Sequence, residues 1–204
     1  GAGSGKTRVL TYRVAYLLAT RRALPSQILA VTFTNKAALE VKERLKRIVG
    51  PFAESLWVGT FHATCVQILR RHADRIGYKR HFVIYDTADQ LQAVKEVFKE
   101  LNVDAKNFDP RAVLGAISAA KNELVDWPQY QERAGDYWER NVGRFYEKYQ
   151  QKLAANSAMD FDALLVRTVQ LFREHPDVLA EYQERFRYVL VDEYQDTNHV
   201  QYVL

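Results

Sequence analysis

Cysteine is almost missing from this chain: Cys65 is the single example in 204 residues. No internal disulfide can form, and no zinc or iron–sulfur site built from several thiolates can be assembled. A reducing, cytoplasmic setting suits that usage. Long apolar runs are missing too. No stretch approaches the roughly 20 residues that cross a bilayer, and no charged-then-apolar export signal stands at the start, so no membrane role is expected. Internal repeats and low-complexity linkers are also lacking. With 204 residues the chain can bury its own core without disulfide or metal staples, and one domain carrying an insert is the expectation.

Charge is present but unevenly placed. Residues 1–81 hold 15 Lys/Arg against four Asp/Glu, a net +11, whereas residues 82–204 hold 14 against 21, a net −7. A basic half of this strength attracts polyanions, although helix surfaces are also commonly charged.

The chain opens Gly1-Ala2-Gly3-Ser4-Gly5-Lys6-Thr7 and runs into Val9, Leu10, Val14, Leu17 and Leu18 at helical spacing, so a glycine loop feeding a helix is expected. Residues 28–34 are apolar and β-branched and follow Pro25-Ser26, which predicts a buried strand of a parallel sheet. Asn35 is expected to cap a helix carrying Ala38, Val41, Leu45 and Ile48, stopped at Gly50-Pro51. Strands are expected at 57–60 and 82–85, with a helix between them carrying Ala63, Val66, Leu69 and Ala73. From Asp86 the period becomes helical and stays so to about Tyr182, with a capping box at Thr87-x-x-Gln90, an Asp109-Pro110 start, a stripe of Val142, Phe145, Tyr149 and Leu153, and a cap at Asp160. The sheet is expected to return only at Tyr188-Val189-Leu190-Val191.

Two motifs carry chemistry. Gly5-Lys6-Thr7 supplies the end of the G-x-x-x-x-G-K-[ST] phosphate loop. Its glycines let backbone N–H groups turn inward toward phosphates at the positive end of a helix. Lys6 is expected to reach the β- and γ-phosphates of ATP and Thr7 to ligate Mg²⁺. Asp192 and Glu193 stand just past the strand at 188–191, where open α/β sheets bind ligands. Asp192 is expected to hold Mg²⁺ and Glu193 to orient or deprotonate the attacking water.

With those pieces in order, the whole chain resembles the UvrD/PcrA/Rep-type DNA helicases of superfamily 1. Gly1 to Arg8 resembles the family's motif I, Ala30 to Ala38 motif Ia, Val58 to Ala63 motif Ib, Met159 to Leu165 a further family segment, and Asp192 to Asn198 motif II. The resemblance implies an α/β, RecA-like P-loop NTPase sheet with an inserted all-helical subdomain. Residues 1–86 form the first part of the core, 87–156 the insert and 157–204 the return to the core. It places Gly1, Ala2, Gly3, Ser4, Gly5, Lys6, Thr7 and Arg8 on the nucleotide, with Arg8 stacked against adenine as a planar guanidinium can be. Gln195 senses the γ-phosphate or the attacking water. Thr32, Phe33 and Asn35 lie along single-stranded DNA with Thr60 and His62, and Phe33 offers its ring to a base. Lys121, Arg140, Arg144 and Lys148 are candidates for duplex phosphates, while Trp127, Trp138, Tyr146, Tyr149 and Cys65 are assigned to packing.

The resemblance further implies a motor that moves 3′ to 5′ on single strands and opens duplex at single-strand/duplex junctions, in repair or replication. The family's adenine-reading glutamine motif, its first strand and its later motifs lie outside these residues, so little hydrolysis is expected of them alone. A helicase–nuclease subunit and an ATP-gated DNA-binding module are the alternatives. A P-loop ATPase without nucleic acid leaves residues 32–35 and 60–62 and the basic half without a purpose.

Overall fold

The computed structural model describes residues 2–192 and Val203, and for Ala2, Gly3, Ser4 and Lys6 the backbone alone. In chain order the elements are α1 (Ala2–Ala19), β1 (Ile28–Thr32), α2 (Asn35–Val49), β2 (Trp57–Thr60), α3 (Phe61–His72), β3 (Val83–Tyr85) and α4 (Thr87–Glu100). They continue with α5 (Pro110–Asn122), α6 (Trp127–Arg133), α7 (Tyr137–Ala155), β4 (Ala158–Asp160), α8 (Phe161–Glu174), α9 (Pro176–Arg185) and β5 (Tyr188–Val191). Two compact units result. One runs up to Ile68 and resumes at Gln170; the other takes Leu69–Val169. The helical stretch expected at 87–156 lies inside the second unit, together with β3, β4 and the adjoining parts of α3 and α8.

The first unit is built on a parallel sheet in the order β2-β1-β5. Parallel strands covered by helices are apolar on both faces, and β1 obeys this: Ile28, Ala30 and Thr32 are fully buried. Leu10 and Val14 of α1 and Val41 and Leu45 of α2 close over Ile28, Ala30 and Val58 as one core. Gly50, at φ 72°, ends α2 where a side chain would be strained.

Several local expectations shift. Thr34, not Asn35, caps α2, accepting from the Ala37 N–H at 3.0 Å. The box that opens α4 is Asp86 with Asp89, one residue ahead of Thr87 and Gln90, because a carboxylate at 86 is the better acceptor and Gln90 is drawn into the interior. β5 is only partly buried, with Val189 55% exposed. The largest departure is at the N-terminus: Ala2–Thr7 is helical, not a loop. No proline interrupts the stretch, and the buried face that Leu10, Thr11 and Val14 anchor extends backward through Thr7.

In the second unit α4, α5 and α7 enclose Val97, Phe98, Val113, Ile117, Val142, Phe145, Tyr149 and Leu153. The stripe expected on α7 is buried in full, and Asp109 with Pro110 starts α5. Phe145 packs against Phe98 and Phe108 with ring centroids at 4.8 and 5.2 Å. Tyr146 and Tyr149 are core and Trp127 packs on it, but Trp138 is 36% exposed and stacks on Phe108 at the surface. The strand expected at 82–85 is β3, and its parallel partner β4 interrupts the stretch read as continuously helical. Three residues are too few to show period 2, so this strand left no pattern to read.

Candidate nucleotide and nucleic-acid site

Register brings the motif residues of the first unit abreast. Thr32 pairs with Thr60, and Val31 pairs with both Gly59 and Val191, so β1, β2 and β5 end level. The Asp192 N–H donates to the Val31 carbonyl at 2.9 Å, which fixes the carboxylate-bearing residue one step past the sheet's carboxyl edge. Asp192 is buried. Hydroxyls of Thr32 and Thr60 and the carboxyl of Asp192 therefore share one edge, the edge where open α/β sheets hold ligands.

Each threonine also organises the turn that follows. Thr32 Oγ1 donates to the Thr34 carbonyl at 3.0 Å, and Thr60 Oγ1 accepts from the Ala63 N–H at 3.1 Å at the start of α3. The helices α2 and α3 leave this edge directly from β1 and β2, and neither carries an acid in its first turn. A threonine hydroxyl takes one N–H at each start, and with no acid beside them the remaining N–H groups and the helix dipole still favour an anion there. Phe33 and Phe61, one residue past β1 and β2, meet edge to face at 5.5 Å. Phe33 and Phe61 are both half-buried, so the pair keeps part of its ring surface open to solvent. Asn35 is exposed in the first turn of α2 and His62 half-buried in that of α3. Phe61 was not singled out from sequence, because its value comes from its partner ring across the sheet edge.

The other expected site residues fall as follows. Thr7 is buried, while Gly5 and Arg8 are exposed on α1. Ala2, Gly3, Ser4 and Lys6 contribute helical backbone. Gly1, Glu193 and Gln195 lie outside the described residues. Thr7 supplies a hydroxyl and Asp192 a carboxylate, oxygen donors of the kind Mg²⁺ takes. Among the described residues no cluster of three His, Cys, Asp or Glu side chains forms a dedicated cage.

A second polar cluster lies in the other unit. Lys121 Nζ meets Asp160 Oδ2 at 2.6 Å with both side chains at least 95% buried, and Tyr149 donates its hydroxyl to the same oxygen at 2.7 Å. Asp160 Oδ1 accepts the Ala163 N–H at 2.8 Å, capping α8 as expected. Lys121 is thereby removed from the candidates for duplex contact, since its charge is spent inside the unit. Burial drives the Asp160 carboxyl upward, but the Lys121 charge and the hydrogen bonds outweigh it and hold Asp160 below its ordinary value. Asp162 shifts the opposite way: burial and the Asp160 charge raise it despite Ser118 and Asn122. A carboxyl raised in the folded state stabilises below its unfolded value near 3.8 and loses that contribution as pH rises through the folded value. Asp162→Asn, which keeps an acceptor for Asn122, is accordingly expected to raise the melting temperature at pH 7 and leave it unchanged at pH 3, as read by thermal denaturation.

The small parallel sheet, with α2 and α3 leaving its level carboxyl edge, makes a mixed α/β fold, and no described helix is long and apolar enough to cross a membrane. The chain belongs to the family described as the UvrD/REP helicase N-terminal domain, which matches residues 1–204. It is 55% identical over 204 residues to a protein of Bacillus subtilis named ATP-dependent DNA helicase PcrA. Proteins of the same name from Staphylococcus aureus and Staphylococcus epidermidis are 53% and 52% identical over the same length. All of this chain is covered in each case, but it spans 28% of the length of those relatives.

Proposed function

We propose that this chain is the ATP-binding portion, and part of the single-strand-binding portion, of an ATP-dependent DNA helicase that moves 3′ to 5′ and opens duplex during repair or replication. The observation that carries this reading is the level ending of β1, β2 and β5, which sets Thr32, Thr60 and Asp192 on one edge. The names of the relatives agree with it.

Residues Gly1 to Thr7 with Arg8 take the nucleotide, Lys6 neutralising the phosphates and Arg8 lying on the base. Thr7 and Asp192 hold Mg²⁺, which when bound offsets charge on the phosphates. Glu193 orients the attacking water and accepts its proton, and Gln195 couples that event to movement. Asn35 and His62 meet the backbone of single-stranded DNA at helix starts that favour anions, while Thr32 and Thr60, expected from sequence to touch the strand, are buried and instead order the turns that carry those residues. Phe33, backed by Phe61, stacks on a base. Stacking is worth about 1–3 kcal/mol per base, so Phe33→Ala in the intact protein is expected to weaken single-strand binding about 5- to 150-fold. ATP binding should not change. Fluorescence anisotropy with a labelled oligonucleotide reads the effect, and undiminished binding would remove Phe33 from the interface.

A further inference from the structure

A cavity of about 230 Å³ opens between α1 and α2, lined by Arg8, Thr11, Tyr12, Arg44, Arg47 and Ile48. Half of these side chains are guanidiniums and none is a carboxylate. The acids of α2, Glu40 and Glu43, do not line it, and α1 carries no acid at all. Like charges gathered in one cavity repel unless an anion joins them. Neither Arg8 nor Arg44 has an ion pair or hydrogen bond among the described residues, and Arg47 donates only to the Glu43 carbonyl of its own helix, at 3.4 Å. Arg44 Nη1 is buried with nothing to accept its hydrogens, a state native interiors rarely leave uncorrected.

We propose that this cavity binds a phosphate group, separately from the ATP phosphates assigned to Lys6, with Arg44 and Arg47 as its donors. Planar guanidinium forks match phosphate oxygens, each bond strengthened by charge. The Thr11 hydroxyl is committed to the Thr7 carbonyl at 2.8 Å, so the arginines supply the recognition. The volume admits one tetrahedral oxyanion with a few waters, each occupying about 30 Å³. Two sources carry that group: free inorganic phosphate, and a phosphodiester of a DNA strand. Only the second rests on the function proposed above.

The test uses the intact protein, in a Lys6→Ala background that silences the phosphate loop, with and without Arg44→Gln plus Arg47→Gln. Inorganic phosphate is titrated by calorimetry at fixed ionic strength in chloride. Single-strand affinity is measured in parallel against salt concentration. Loss of phosphate binding by about tenfold or more in the arginine variant assigns the free anion. A fall of about one in the salt slope for each guanidinium removed assigns the DNA phosphate. Arg47→Lys, which keeps the charge on an exposed position but loses the fork, serves if the double variant does not fold, and an intermediate loss is expected of it. If neither quantity moves in a protein that binds DNA, the proposal is overturned. If the parent protein does not bind DNA, the function proposed above fails, and the phosphate titration alone decides the cavity.

Discussion

Glu193→Gln in the intact protein is expected to lower kcat for ATP hydrolysis by about 10²- to 10⁴-fold, the range that a positioned general base supplies, with ATP affinity retained. The substitution keeps size and hydrogen bonding but removes the proton acceptor. The placement follows from its neighbour: Asp192 is tied to the Val31 carbonyl at the carboxyl edge and is buried, and Glu193 is the next residue along. Lys6→Ala is expected to differ in kind, because it removes a charge that binds the phosphates in ground and transition states alike. It should weaken nucleotide binding as well as turnover. Single-turnover hydrolysis with a separate nucleotide-binding measurement tells the two apart, and a Glu193→Gln protein that turns over normally would move the base elsewhere.

Lys121→Ala is expected to destabilise the protein by about 3–5 kcal/mol, the usual cost of stripping one partner from a buried ion pair. Asp160 would keep its bonds from Tyr149 and Ala163 but lose its countercharge. The pH dependence should then change sign. With Lys121 present, Asp160 is held below its unfolded value near 3.8, so its contribution is in place above that value and is lost as pH falls through the folded one. Without Lys121, burial prevails and raises Asp160, so the variant should be least disfavoured in acid and lose ground as pH rises. Adding Asp160→Asn should recover part of the loss, since the amide oxygen still accepts from Tyr149. Denaturant unfolding at several pH values reads both effects, and a variant as stable as the parent at pH 7 would show that the pair is not coupled to folding.

Most of what could be read from sequence rested on patterns that local physics enforces. The apolar, β-branched run at Ile28 and the stripe of Val142, Phe145, Tyr149 and Leu153 became a buried strand and a buried helix face because period and burial are the same information. Asp109-Pro110 started α5 for reasons contained in those two residues. What escaped depended on distant partners. β4 exists through its pairing with β3 some 75 residues earlier (Val83 with Ala158). Lys121 reads as a surface cation until Asp160, 39 residues away, takes its charge inside. Of the site, the level placement of Thr32, Thr60 and Asp192 follows from sheet register, which no single segment encodes. The glycine-rich start shows the opposite limit: its motif reads as a phosphate loop, yet residues 2–7 are wound into α1, where nothing in their composition forbids a helix.

The most direct test of the whole account is ATP hydrolysis by the intact protein with and without single-stranded DNA, set beside an RNA of the same length. The account predicts turnover that rises strongly with DNA, rises less with RNA, and disappears in Glu193→Gln. Turnover indifferent to DNA would contradict it, leaving a nucleotide site with no nucleic-acid partner at the same sheet edge.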